Sequence, residues 1–223
     1  MSPFTPTEKA LLKKLNTPAK VQDFLNKLRF NFEEPARNAF SIADAGGDGK
    51  HTIKSPVRVL REKNAHCMEG AILGAYILSL HGQKPLILHL QTTKDDFDHI
   101  ITLFKENNLW GALSKTNHGV LRYREAVYKN IRELVMSYFH EYYDDNGKKT
   151  LRKYSKPLDL NVFEKGWELE EKDLWGIDHE LDVIKHYDIV SGNKNKKIYK
   201  NLRKADDIEL EMTGIIEWEA RKN

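Results

Sequence analysis

The chain has one cysteine, Cys67, among its 223 residues. A single thiol excludes an intramolecular disulfide and any zinc or iron–sulfur site built on several cysteines. It suits a reducing compartment, so a cytoplasmic protein is expected. Long apolar runs are also missing. The most apolar stretch, Ala71 to Leu80, is far short of the ~20 residues that span a bilayer, and no membrane association is expected. The opening residues lack a basic patch followed by an apolar run and a small-residue cleavage site, so no secretory signal is expected. Apolar residues make up 40% of the chain, below the roughly 45–50% of globular proteins, which implies many solvated helix faces or a long polar tail. Charge of one sign is scarce as well. Thirty-six basic side chains against thirty-three acidic ones leave +3, too little to demand nucleic acid as a partner.

The aromatic content is not low. Nine Tyr, nine Phe and four Trp are more than a disordered chain carries. Thr7 and Glu8 lead into a short helix. Thr17-Pro18 supplies a cap with proline at the first helical position, and Val21, Phe24, Leu25 and Leu28 follow at helical spacing. The run Ala43 to Lys50 reads as a turn. It lacks the strand lead-in and Gly-Lys-Ser/Thr ending of a phosphate loop, and the carboxylate spacing of a calcium loop. Cys67 to Leu80 is apolar on nearly all sides. That predicts a central buried helix with Cys67 in its first turn and Gly82 just past its end.

Three strands are predicted next, over Pro85 to Leu90, Asp98 to Phe104 and Leu109 to Ser114, with a hairpin at Asn107-Asn108. Val127, Ile131, Leu134, Val135 and Phe139 predict a helix. Ile177, Leu181, Ile184 and Tyr187 predict another, and Thr150 to Tyr154 a short strand. The whole reads as α+β: a central helix packed on an antiparallel sheet, with extra N- and C-terminal helical segments. Residues 1–156 are expected to form the main domain, and 157–223 a C-terminal subdomain packed on it.

Cys67 and His99 carry the candidate chemistry. A thiol in the first turn of a helix faces unpaired backbone N–H groups and the positive end of the helix field, which favour a thiolate. A histidine on a neighbouring strand can complete the ion pair that cysteine catalysis needs. The plainer reading is an inert buried thiol and a structural histidine.

The run Arg61-Glu-Lys-Asn-Ala-His-Cys67-Met-Glu-Gly-Ala-Ile-Leu resembles the nucleophile region of the transglutaminase-like superfamily, whose core is papain-like. The likeness extends over residues 55 to 117. Thr17-Pro to Leu28, Trp110 to Asn117 and Leu121 to Glu125 are similar to a bacterial group with such cores. The resemblance implies Cys67 as nucleophile, His99 on the following strand as base, and an aspartate near the end of the next strand. Ser114 stands at that last position. A serine accepts a hydrogen bond but supplies no charge. Asn117 is the alternative group for orienting His99. Trp110 resembles the strand tryptophan of the fold. Trp110, Arg61 and His66 are the expected substrate-binding residues, and His51, Thr52 and His66 the candidate upstream oxyanion donors.

Two functions remain open on this reading. One is a cysteine hydrolase or acyltransferase acting on a peptide or a small amide substrate, with no cofactor and no metal. The other is a catalytically inactive transglutaminase-like domain that binds peptide or protein. Nucleic-acid binding through the basic stretch Ser191 to Lys204 is a third possibility without a recognised fold behind it.

Overall fold

The computed structural model describes residues 4–31, 51–192 and 195–213. The glycine-rich run Ala43 to Lys50 lies outside them. Helix α1 (Pro6–Lys14) starts at Thr5, whose hydroxyl accepts from Glu8 N–H while Glu8 reaches back to the Thr5 amide. Helix α2 (Pro18–Lys27) is capped by Thr17 with proline in its first turn, as the sequence predicts. Strand β1 (Arg29–Phe30) follows. Helix α3 (Pro56–Glu62), capped by Ser55, leads to β2 (Asn64–Ala65), which pairs in parallel with β1. Helix α4 (Cys67–Ser79) comes next.

The main sheet has seven strands. Strands β3 (Leu86–Gln91), β4 (His99–Glu106) and β5 (Leu109–Leu113) form an antiparallel meander. Asn107 and Asn108 at its second turn have φ of 51° and 63°, the left-handed pair that a two-residue hairpin requires. Strand β6 (Tyr123–Tyr128) adds to β5. Helix α5 (Ile131–Phe139) then covers one face of the meander, Leu134, Val135 and Tyr138 packing on Ile101, Leu103 and Ala112. On the other side of β3 come β7 (Lys153–Ser155) and β8 (Leu158–Asp159). Pro157 separates them, and there the Ser155 hydroxyl accepts the His89 N–H in place of a ladder bond, at 3.0 Å. Helix α6 (Trp175–Val183) packs beside α4, and β9 (His186–Asp188) pairs with β7. Two short helices, α7 (Asn195–Lys200) and α8 (Asp207–Met212), end the described chain.

Two expectations need correction. Val127 lies on β6 with 61% of its surface exposed, not on a helix; the helix starts after Asn130, whose side chain caps it. Tyr187 lies on β9, because α6 stops at Val183. Strands β8 and β9, from the segment expected to form the C-terminal subdomain, join the main sheet.

Helix α4 lies against the meander with its glycines inward. The Thr102 hydroxyl donates to the Ala71 carbonyl at 2.7 Å. A Cβ on Gly74 would meet Thr102 Oγ1 at 2.6 Å, and one on Gly70 would meet Lys115 Cβ at 2.3 Å. Only glycine lets the helix axis come this close to β4 and β5. The partly exposed N-terminus of α4 is thereby set against the entry to β4.

Candidate active site

Cys67 is the first residue of α4, with a partly exposed side chain. His66 is the N-cap. Its Nδ1 accepts from the Met68 N–H at 3.2 Å, and its Nε2 donates to the Thr52 carbonyl at 2.7 Å. The tautomer with the proton on Nε2 satisfies both bonds. An imidazole thus does here what a serine or aspartate does at most helix starts.

Glu69 closes the cap from the other side. Its carboxylate is fully buried and accepts four hydrogen bonds: from His66 N–H at 3.0 Å, Lys54 N–H at 3.1 Å, Thr52 Oγ1 at 2.7 Å and Asn31 Nδ2 at 3.2 Å. The buried Lys54 ammonium lies 3.7 Å away and donates to Asn64. Three chain segments, at Asn31, Thr52–Lys54 and His66, therefore meet on one carboxylate two residues beyond the thiol.

His99 is the first residue of β4 and is 5% exposed. Burial pushes the Cys67 thiol up. Hydrogen bonds with His66 and His99, and the charge of the His99 ring, outweigh burial and bring it down to about 5. Tyr142 lies near the same thiol. Its hydroxyl donates to the Phe97 carbonyl at 2.8 Å, and burial with the charges of Asp96, Cys67 and Asp98 holds its ionisation well above the usual range.

The structure brings Cys67, His66 and His99 together. The other expected residues stand differently. Ser114 does not orient His99. Its hydroxyl donates to the Leu121 or Arg122 carbonyl at 2.9 and 3.2 Å, and Gln22 clamps its backbone N–H and carbonyl, each at 2.9 Å. It is a corner between β5 and the next turn. Asn117 lies in the same segment, next to His118, whose ring is pushed down by burial and by the charge of His99. Yet Asn117 Oδ1 and His99 Nε2 are both buried without a hydrogen-bond partner, so the two do not meet.

Trp110 pairs with Lys105, six residues along β4 from His99. At about 3.4 Å per residue that is roughly 20 Å from the thiol end, so Trp110 does not line the site. Its indole lies under the Lys105 ammonium, 4.3 Å from the ring centre. Arg61 ties α3 to Glu171 at 2.9 Å and to Glu8 at 3.8 Å. Thr52 commits its hydroxyl to Glu69 and its carbonyl to His66. The Cys67 amide, at the open end of the helix, remains suited to that task. Sequence reasoning missed Glu69, although Glu three residues after the cap position is a capping-box signal.

Among the described residues, no group of three or more His, Cys, Asp or Glu side chains could hold a metal ion, and no helix is long and apolar enough to cross a membrane. No protein-family model matches the chain, and no curated protein matches it significantly.

Proposed function

We propose that the protein is a cysteine-dependent hydrolase or acyltransferase acting on amide bonds, with Cys67 as nucleophile and His99 as general base and acid. The observation that carries this reading is a thiol held at about 5 by two imidazoles at a helix N-terminus. A structural thiol needs no such arrangement, and burial alone drives it the other way. The finer fold assignment is part of the same proposal. A nucleophile helix followed by an antiparallel meander, with histidine opening its second strand, supports a transglutaminase-like core.

The Cys67 thiolate attacks the amide carbon, forming a C–S bond and an oxyanion that the Cys67 N–H faces. Collapse breaks the C–N bond, and the His99 imidazolium gives its proton to the departing amine. Neutral His99 then takes a proton from water or from a second amine, which attacks the thioester and releases Cys67. The test is to trap the thioester. The parent, incubated with p-nitrophenyl acetate at pH 6, should gain one acetyl group by intact mass. Cys67→Ala should gain none, and His99→Ala should acylate slowly and hold the acetyl group longer. A parent protein that never acylates would reject the proposal.

The second reading, a catalytically inactive peptide-binding domain, is favoured by one observation: His99 Nε2 has no orienting partner, and Ser114 is spent elsewhere. A dyad can work without a third residue only if the imidazole is held in place some other way.

A further inference from the structure

A chain of titratable groups begins one residue away from His99. His186 Nδ1 lies 2.8 Å from the Ile184 carbonyl, and its Nε2 lies 3.1 Å from His89 Nδ1. His89 Nε2 lies 2.8 Å from Asp98 Oδ2. Asp98 Oδ1 accepts from the Thr92 N–H at 2.7 Å and the Thr92 hydroxyl at 2.9 Å. The two rings stand at 84° to one another, with centres 5.0 Å apart. His89 is buried, whereas the Asp98 side chain is 41% exposed.

The protons can be counted. A carbonyl cannot donate, so His186 Nδ1 carries a proton. Burial pushes the Asp98 carboxyl up, but His89 and Thr92 pull it below the usual carboxylate range. It is therefore an anion, and His89 Nε2 must donate to it. Two ring nitrogens 3.1 Å apart attract only with a proton between them. Three protons on two imidazoles make one positive charge. His186 is pushed down by burial, by the charge of His89 and by Lys153. The charge belongs to the ring pair, facing the Asp98 carboxylate, with Asp178 of α6 as a further carboxyl in the field of His89.

Asp98 directly precedes His99, and alternation sends its side chain to the opposite face of the strand. There it ties the entry of β4 to Thr92 and to β3. His99 Nε2 has no hydrogen-bond partner, so apart from the contact with Cys67 its imidazole is placed by its backbone. We infer that His186, His89 and Asp98 form a singly charged proton chain that fixes the start of β4 and so holds the His99 ring against Cys67. These are positioning residues, and the inference rests on the Cys67–His99 reading above.

Asp98→Asn separates charge from geometry. The amide oxygen still accepts from Thr92, and its NH2 donates to a neutral His89, so the chain then needs two ring protons instead of three. Nitrogen-15 NMR of the histidine rings at pH 7 should count three protonated nitrogens on His89 and His186 in the parent and two in Asp98→Asn. Two in the parent would overturn the proton count.

The positioning role is read from the pH profile of Cys67 alkylation by iodoacetamide. Asp98→Ala should move the inflection up by about one unit, tenfold in thiolate at a fixed lower pH, and Asp98→Asn should restore most of it. If Asp98→Ala does not fold, His186→Phe cuts the far end of the chain and should also raise the inflection. No movement in the folded variant overturns the role. If His99→Ala also leaves the parent inflection unmoved, the Cys67–His99 reading itself has failed. If only the chain variants are silent, that reading stands and this inference falls.

Discussion

Cys67 is the only thiol in the chain, so alkylation of the whole protein reports on one group. With an ionisation near 5, it is ~90% thiolate at pH 6, against ~0.3% for an ordinary thiol near 8.5. That is a ~300-fold difference in population. A less basic thiolate is also a weaker nucleophile. A Brønsted coefficient of ~0.4–0.5 over about 3.5 units costs ~25–60-fold per thiolate. The net gain at pH 6 is therefore only ~5–10-fold, and above neutrality the sign reverses. Folded protein should react faster with iodoacetamide than the urea-unfolded chain at pH 6, more slowly at pH 9, with the two curves crossing near pH ~7. His99→Ala should shift the folded inflection up, because it removes both a hydrogen bond and a charge that lower it. Folded and unfolded curves that run parallel across pH 4 to ~10, with inflections near 8.5, would show that burial wins over the two imidazoles and refute the reasoning.

The same depression links stability to pH. A thiol whose folded value lies below its unfolded one stabilises the fold above about pH 8.5, and that contribution fades as pH falls through about 5. Urea titrations of the parent should therefore rise more steeply over this window than those of Cys67→Ala. Glu69→Ala should cost about 3–5 kcal/mol in urea unfolding, since it strands four donors and takes one of two carboxylates from beside the buried Lys54; a loss under 1 kcal/mol would contradict the hub role. For Gly70→Ala, helix propensity favours alanine by ~1 kcal/mol, but the 2.3 Å contact with Lys115 Cβ outweighs it, giving a net loss of about 1–2 kcal/mol by thermal melting. Ser114→Ala should lower stability by ~1–2 kcal/mol and leave the alkylation profile of Cys67 in place; a shifted inflection would return Ser114 to the site.

The central helix, its start at Cys67 and the three-strand meander were legible because each has a strong local signature. An all-round apolar run, two asparagines able to adopt positive φ, and a Thr-Pro cap depend on little beyond their own neighbours. Strand β6 was hidden by its composition: Arg124 and Glu125 interrupt its alternation, and the adjoining helical spacing of Ile131 to Phe139 absorbed Val127. The place of β8 and β9 in the sheet was invisible for a different reason. Their pairing with β3 and β7 joins residues far apart in sequence, which periodicity cannot report. In the site, Cys67 and His99 could be named from helix-start chemistry and resemblance. Ser114 could not be judged from position, because its hydroxyl is claimed by carbonyls seven and eight residues later. The pairing of His89 with His186 spans 97 residues and leaves no trace in spacing.

The meeting of Asn31, Thr52, Lys54 and His66 on the Glu69 carboxylate also sets when the thiol becomes reactive. During synthesis these residues leave the ribosome in order, but His99 leaves thirty-odd positions after Cys67, and His186 much later. Until the meander has paired, the helix start has neither its imidazole neighbour nor its fixed orientation, and Cys67 is an ordinary cysteine, almost wholly protonated in a cell. A growing or misfolded copy therefore lacks the general acid that amide cleavage needs, although near neutral pH its thiol still reacts with simple electrophiles about as fast as that of the folded protein. Chemistry on amides is a property of the finished molecule, conferred by its last contacts rather than by the residue itself.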